Sequence, residues 1–380
     1  MNGSAFPPQS LPHWRRAVLK VGSSLLAGDD GLDSRHAAAL ARFIEHAGSR
    51  QRDVVLVSSG AVAAGRHRVG AGGDGLVLRQ ALASLGQASL VSFWQRLVER
   101  PVAQVLLTHD DLRNRRRYLN ARATLRELLR LGALPVINEN DAVAVDEHKL
   151  GDNDNLAAAV ASLVDADLLL IATDIGGLYS AHPRDPSARP IPRVDTITPE
   201  LLQAASGGAG ALGTGGMRTN LDAATKAATA GIPTALFCGR DTDVVQALHE
   251  DRLHGTLLLA QGDRLRARKQ WLRHAPSSGR LGVDAGAFSA LHRNGASLLP
   301  GGVVSVDGEF RRGDIVEIGV EGEAAFARGL VQYSAVEIRR IARRHSNEIE
   351  SILGFRYGES VVHRDDLVLL DTPAQREATS

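Results

Sequence analysis

Six short apolar runs recur along the first two thirds of the chain: AVLKV (17–21), DVVLV (53–57), VAQVLL (102–107), ALPVIN (133–138), DLLLIA (167–172) and PTALF (233–237). None alternates polar with apolar positions, which is the pattern of strands covered on both faces. Between them, segments such as SRHAAALARFIEHAG (34–48) and NARATLRELLRLGA (120–133) space apolar residues three and four apart and carry glycine near the end. That spacing predicts amphipathic helices. Strand–helix alternation sustained over roughly 260 residues predicts an α/β domain of three layers, α/β/α, around a mostly parallel sheet.

Beyond residue 260 the pattern changes. The stretch QGDRLRARKQWLRHAPSSGR (261–280) is basic and then rich in Pro, Ser and Gly, as suits a linker. After it come strand-like pieces, GGVVSVDGEF (301–310), GDIVEIGV (313–320) and FARGLVQYS (326–334), interrupted by one helical segment, SAVEIRRIARRHSNEIESIL (334–353). The expected plan is a loose tail over 1–14, an α/β domain over 15–262, a linker over 263–278, a small β-rich domain over 279–365 and a second tail over 366–380.

Composition adds little to this and removes several alternatives. The chain has 380 residues, a net charge of +1 and a 23% share of charged residues, so no global field points to nucleic acid or a lipid surface. Its 39 glycines fit many tight turns between strands and helices. The lone cysteine, Cys238, excludes an intrachain disulfide, and its place in PTALFC reads as a small buried hydrophobe. The longest apolar stretch, LAAAVASLVDADLLLIAT (156–173), is broken by Asp165 and Asp167 and so is no membrane span. No apolar signal core opens the chain, and a cytoplasmic location is expected.

Polar clusters fall repeatedly where the predicted strands end, the edge at which open α/β sheets bind ligands. The first strand ends in Lys20, then Gly22, Ser23 and Ser24; the second in Ser58, Ser59 and Gly60. The fourth ends in Asn138, Glu139, Asn140 and Asp141, and the fifth in Thr173 and Asp174. Each alone has a plain reading as a cap, a turn or a solvated charge. Four on one edge point to an active site. Two further pieces join them. Asp152, Asn153, Asp154 and Asn155 precede a strong apolar helix, more polar residues than capping requires. The stretch LGTGGMRTNL (212–221) offers free backbone N–H groups and a helix start, which suits a nucleotide phosphate.

In this order and spacing, VLKVGSSLL, VSSGAVAAG, VINENDAV, GDNDNLAA, ATDIGGLY and GTGGM resemble the glutamate 5-kinases, a family of the amino-acid kinase superfamily. The likeness continues through SLLPGG, RRIARRHSNEIESILGFRYG and VVHRDD, which are similar to the PUA domain of that family. The resemblance implies the amino-acid kinase fold and ATP-dependent phosphorylation of the L-glutamate side-chain carboxylate, the first step of proline synthesis. It implies that Lys20 contacts the transferring phosphoryl group and that Asp154 orients it. It places glutamate on Ser59, Asp141 and Asn153, with Asp141 facing the substrate ammonium. ATP would lie on Lys20, Thr173, Asp174 and the loop Thr214, Gly215, Gly216, Met217, Arg218, Thr219 and Asn220. Mg²⁺ would reach the protein mainly through phosphate oxygens and water, with no dedicated protein metal site. Proline is implied as feedback inhibitor, and a homodimer or homotetramer as the assembly.

One position departs from the family pattern. Where the family carries a lysine that stabilises the phosphates, this chain has Asn220. Arg218, on the first helical turn, is the expected replacement, ahead of Lys226. If neither compensates, the alternative is a catalytically weakened, kinase-like protein that binds or regulates. A third reading takes Arg339, Arg340, Arg343 and Arg344 as one basic helix face of the PUA domain. Glu337, Glu348 and Glu350 lie nearby to balance it, and no RNA partner is expected.

Overall fold

The structure is a computed structural model, and it describes residues 6–28, 31–70, 72–73, 75–144, 153–183, 185–204, 215–262, 272–273 and 275–370. The chain forms two compact units, Met1–Asp263 and Arg264–Ser380.

The first unit is built on an eight-stranded sheet. In chain order its strands are β2 (Arg16–Val21), β3 (Asp53–Ser58), β4 (Val102–Leu107), β5 (Leu134–Glu139), β6 (Leu168–Thr173), β7 (Arg193–Val194), β8 (Thr234–Cys238) and β10 (Gly255–Leu258); β1 (Gln9–Ser10) and β9 (Arg252–Leu253) form a separate antiparallel ladder. The spatial order is β7-β10-β8-β6-β2-β3-β5-β4. From β8 to β4 every pairing is parallel, while β10 runs antiparallel to β8. All six apolar runs of the sequence are therefore strands of one sheet.

The absence of polar alternation has its cause in two separate cores. Along β2, Ala17, Leu19 and Val21 enter one cluster and Val18 the other; Leu56 and Val57 of β3, and Leu170 and Ile171 of β6, divide likewise. One face is covered by α1 (Ser34–Ser49), α3 (Leu76–Gln95) and α7 (Thr242–Ala247), the other by α4 (Arg115–Arg130), α5 (Asn153–Leu163) and α6 (Gly215–Thr229). The α2 helix (Ala61–Val69) packs on α3 with the backbones almost touching. A Cβ on Gly65 would stand 1.9 Å from the Leu82 carbonyl oxygen, and one on Gly86 would stand 1.8 Å from that of Ala61. Only glycine allows that approach.

Over residues 6–14 the structure corrects the expected loose tail; residues 1–5 lie outside the described residues. Residues Gln9 and Ser10 pair with Leu253 and Arg252, and Phe6, Leu11 and Trp14 are buried. Three large apolar side chains within nine residues supply enough buried surface to hold the segment down.

The second unit carries a five-stranded sheet of order β12-β11-β13-β14-β15, formed by β11 (Gly279–Val283), β12 (Val303–Gly308), β13 (Ile315–Val320), β14 (Ala327–Val331) and β15 (Val362–Leu369). Because β15 runs to Leu369, with Val368 buried, the strand overruns the boundary expected at 365; residues 371–380 of the expected tail lie outside the described residues. Most of the expected linker, including 263–271, lies outside the described residues; Leu272 packs on Ile315, Leu330 and Val368.

The single helix expected over 334–353 is two short ones, α8 (Ala335–Ile341) and α9 (Ile349–Leu353). Between them Arg343 takes the left-handed conformation, φ 63°, which stops a helix. Arg343 and Arg344 therefore leave the helix that carries Arg339 and Arg340. Arg339 is paired with Glu309 at 2.8 Å, and Arg340 donates to the Ile352 carbonyl. The four arginines form no common helix face.

Candidate active site

The carboxyl ends of β2, β3, β5, β6 and β8 meet at one rim. Lys20 is next to last in β2, opposite Val57 and Ile171 of the neighbouring strands, and pointing to the face that α5 covers. There its Nζ lies 2.6 Å from Asp154 Oδ1. Asp154 stands in the first turn of α5, where the helix dipole favours a carboxylate. Both side chains are buried, at 7% and 1% exposure, so the charges stabilise each other with little screening. The second Asp154 oxygen accepts the Thr219 hydroxyl of α6 at 2.8 Å. One carboxylate thus fastens β2, α5 and α6 together.

A second constellation lies at the ends of β3 and β5. Asn153 Nδ2 donates to Ser59 Oγ at 2.7 Å and to Asn138 Oδ1 at 3.0 Å. Asn138 in turn donates to Gln87 Oε1 at 3.0 Å. The Ser59 backbone N–H donates to the Val21 carbonyl, 3.0 Å, which ties this chain to the end of β2. With its oxygen taken by Asn153, the Ser59 hydroxyl keeps its own proton to donate to a ligand. Ser58, in contrast, is buried and accepts the Trp94 indole N–H at 2.9 Å, a packing role.

Asp141 sits in the turn after β5, which Gln80 holds to α3 through the Ala144 carbonyl at 3.1 Å. Burial pushes the Asp141 carboxyl above the ordinary aspartate range, against the pull of Arg79. Burial and then repulsion from Asp141 raise Glu139 as well. Two half-buried acids with raised affinity for a proton make a place where an incoming ammonium is favoured.

On the other side of Lys20, the Thr173 hydroxyl is used within its own turn, bonding the Ile175 carbonyl at 2.5 Å, and Asp174 is exposed. Burial raises the Cys238 thiol, whose sulfur lies 3.7 Å from the Asp174 carbonyl. Of the expected phosphate loop, Thr214 lies outside the described residues. Gly215 opens α6, and a Cβ on Gly216 would meet nothing within 4 Å among the described residues. Met217 and Asn220 turn inward and are buried.

Among the described residues, the contacts of Arg218 run along α6 and to Leu202. Its Nε is 3.0 Å from Asp222, one turn on, and its Nη1 donates to the Leu202 carbonyl, 3.0 Å. An acid at i+4 gives it a nearer partner. Lys226 donates to Asn155 at 2.7 Å. The sequence reading had also missed Gln87 and the contact of Thr219 with Asp154. The signal for Gln87 was a polar residue beside Gly86, on the face of α3 that carries Leu82, Ala83 and Leu90 into the interior.

Residues 15–238 match the model of the amino acid kinase family, and residues 279–353 that of the PUA domain. A glutamate 5-kinase of Xanthomonas oryzae pv. oryzae is 65% identical over 362 residues, covering 93% of this chain and all of that one. That of Xanthomonas campestris pv. campestris is 63% identical over the same shares. That of Xylella fastidiosa is 59% identical, over 97% of this chain and 98% of its own length.

Proposed function

The chain belongs to the amino acid kinase family, among the glutamate 5-kinases, and from that premise we propose that it transfers the γ-phosphoryl group of ATP to the side-chain carboxylate of L-glutamate. The observation that carries the reading is the buried Lys20–Asp154 pair, 2.6 Å apart, between the Ser59–Asn153 constellation and the start of α6.

A glutamate carboxylate is ionised at neutral pH and needs no general base. An oxygen of that carboxylate attacks the γ-phosphorus, the bond from that phosphorus to the β,γ-bridging oxygen breaks, and ADP leaves with the electron pair. What the protein supplies is alignment and charge. Ser59 and Asn153 would hold the substrate, and Asp141 would take its ammonium. Lys20, held on line by Asp154, would neutralise charge on the equatorial oxygens of the transferring group. Backbone N–H groups at Gly215 and Gly216 would receive phosphate at the positive end of α6, with Thr173 and Asp174 on the nucleotide side.

Among the described residues no group of three or more His, Cys, Asp or Glu side chains is arranged to hold a metal ion. Mg²⁺ would arrive on the ATP phosphates, whose charge it offsets. On the same reading proline competes with glutamate at Ser59, Asp141 and Asn153, because it presents the same ammonium and α-carboxylate. The enzyme would work as a cytoplasmic homodimer or homotetramer.

The test is acyl phosphate formation, trapped as hydroxamate, with ATP, Mg²⁺ and either glutamate, aspartate or no amino acid. Product with glutamate and none without it is the expected result. Equal product with aspartate, or none with any acceptor, would defeat the reading.

A further inference from the structure

A triphosphate brings more negative charge than one ammonium offsets, and among the described residues the cations of α6 are engaged away from its start. Arg218 is held by Asp222 and the Leu202 carbonyl, Lys226 by Asn155, and Asn220 is uncharged and buried. Mg²⁺ would offset part of that charge, and among the described residues a further cation stands elsewhere on the rim.

Arg240 stands there. It follows β8, in line with Thr173 at the end of β6, and its side chain is exposed. Its Nη2 donates to the Ser24 carbonyl at 3.2 Å. Ser24 belongs to the turn that leaves β2 after Lys20, and a Cβ on Gly22 in that turn would stand 3.4 Å from Lys20 Nζ. The backbone beneath Arg240 is fixed. The Gly239 N–H donates to the Thr173 carbonyl at 2.8 Å. A Cβ on Gly239 would lie 2.6 Å from Leu25 Cδ1 and 3.0 Å from Ala172 Cβ, so the β8 turn is pressed onto the β2 turn. The next residue, Asp241, accepts the Asp243 and Val244 N–H groups at the start of α7. Among the described residues Arg240 is in no ion pair.

We propose that Arg240 is a phosphate-binding residue, which contacts the nucleotide's phosphate chain beside the Gly22–Ser24 turn and supplies, with Lys20, positive charge there. This rests on the kinase reading above. A planar guanidinium with several donors suits phosphate oxygens, and one of its donors already marks the turn where they would pass. A purely structural Arg240 would do no more than tie Ser24 to β8.

Calorimetric titration of the full chain with ATP and with AMP separates these roles. Arg240→Met is expected to weaken ATP binding by about tenfold or more, the scale of one charge-assisted contact. AMP affinity should stay within about twofold, KM for glutamate should hold, and Arg240→Lys should recover part of the loss. Unchanged ATP affinity in Arg240→Met would overturn the proposal. So would equal losses for ATP and AMP, the mark of a collapsed turn. Nucleotide titration needs no acceptor chemistry, so it stays informative if the wild type makes no glutamate-dependent hydroxamate; that failure would count against the kinase reading alone.

Discussion

Lys20 Nζ and Asp154 Oδ1 lie 2.6 Å apart, both residues buried, and Thr219 holds the other Asp154 oxygen. Removing the ammonium strands a buried carboxylate; removing the carboxylate strands a buried ammonium. Either loss costs about 3–5 kcal/mol where the charge stays in place. Lys20→Ala is expected to lower glutamate-dependent turnover by about 10³-fold or more, and Asp154→Asn by somewhat less, since the lysine remains but is no longer aimed. The two losses should fall well short of multiplying in the double variant, because the residues act as a unit. Steady-state hydroxamate assays on the three variants check this; full turnover in Lys20→Ala would exclude the site.

The Gln87–Asn138–Asn153–Ser59 chain leads to a different split between KM and kcat. Gln87 touches no position assigned to substrate, yet its oxygen holds Asn138, which orients Asn153. Gln87→Leu leaves a buried amide without its acceptor, a cost of about 1–3 kcal/mol. The expected outcome is a rise of about tenfold in KM for glutamate with KM for ATP unchanged. A uniform fall in kcat for all substrates would mean that Gln87 supports the fold alone.

Much of this architecture could be read from the chain. Strands buried on two faces have a clear signature, and all six runs were recognisable because Leu19 and Val18 must both be apolar to face two different cores. The rim positions were legible because Lys20 lies at the end of a strand, Ser59 and Asp141 follow strands and Asn153 opens a helix. Contacts that join elements far apart in sequence were not. Thr219 meets Asp154 across 65 positions, Arg240 meets Ser24 across 216, and no local pattern encodes either. The pairing of Arg218 with Asp222, one turn along α6, competes with a reach back to the loop. The N-terminal segment misled because its polar, proline-containing composition hid three anchoring side chains.

Asn220→Lys bears on the missing charge directly. Position 220 is buried on the inner face of α6, so a lysine there must extend its stem along apolar surface before its ammonium meets phosphate. With Arg240 already on the phosphates, the substitution is expected to change kcat by less than about threefold. A rise of tenfold or more would mean that the nucleotide lacks a second cation, and would count against Arg240. Nucleotide binding without phosphoryl transfer in the wild type would favour the weakened, kinase-like alternative.

The acids after β5 set a pH dependence. Since burial raises Asp141, the protonated form persists to higher pH than in an ordinary aspartate, and only the ionised form pairs with an ammonium. As pH falls through this raised value, kcat/KM for glutamate should fall while KM for ATP holds. The limb should lie above the ordinary aspartate range and vanish in Asp141→Asn, whose kcat/KM is low at every pH. A profile of kcat/KM against pH for both proteins checks it; an identical limb in the variant would assign it to another group.

Finally, the anchored N-terminal segment should contribute measurably to stability. The Trp14 indole donates to Asp251 Oδ1 at 2.9 Å, Arg52 grips both Asp251 oxygens at 2.6 and 2.9 Å, and the Arg52 guanidinium lies 4.6 Å from the centre of the Trp14 ring. Burial alone would raise the Asp251 pKa, but the hydrogen bonds from Arg52 and Trp14 outweigh it and hold the carboxyl below the ordinary aspartate range. A depressed folded-state pKa stabilises the fold above the unfolded-state value, and the contribution is lost as pH falls through the folded one. Trp14→Ala, which also empties a buried site, should cost about 3–5 kcal/mol, and Asp251→Asn about 1–3 kcal/mol near neutral pH. The gap between wild type and Asp251→Asn should then narrow on acidification, as wild-type Asp251 takes up its proton and the two side chains become alike in charge. Urea midpoints measured at neutral and acidic pH give both quantities. A gap that stays constant with pH would show that Asp251 contributes through packing and not through its charge.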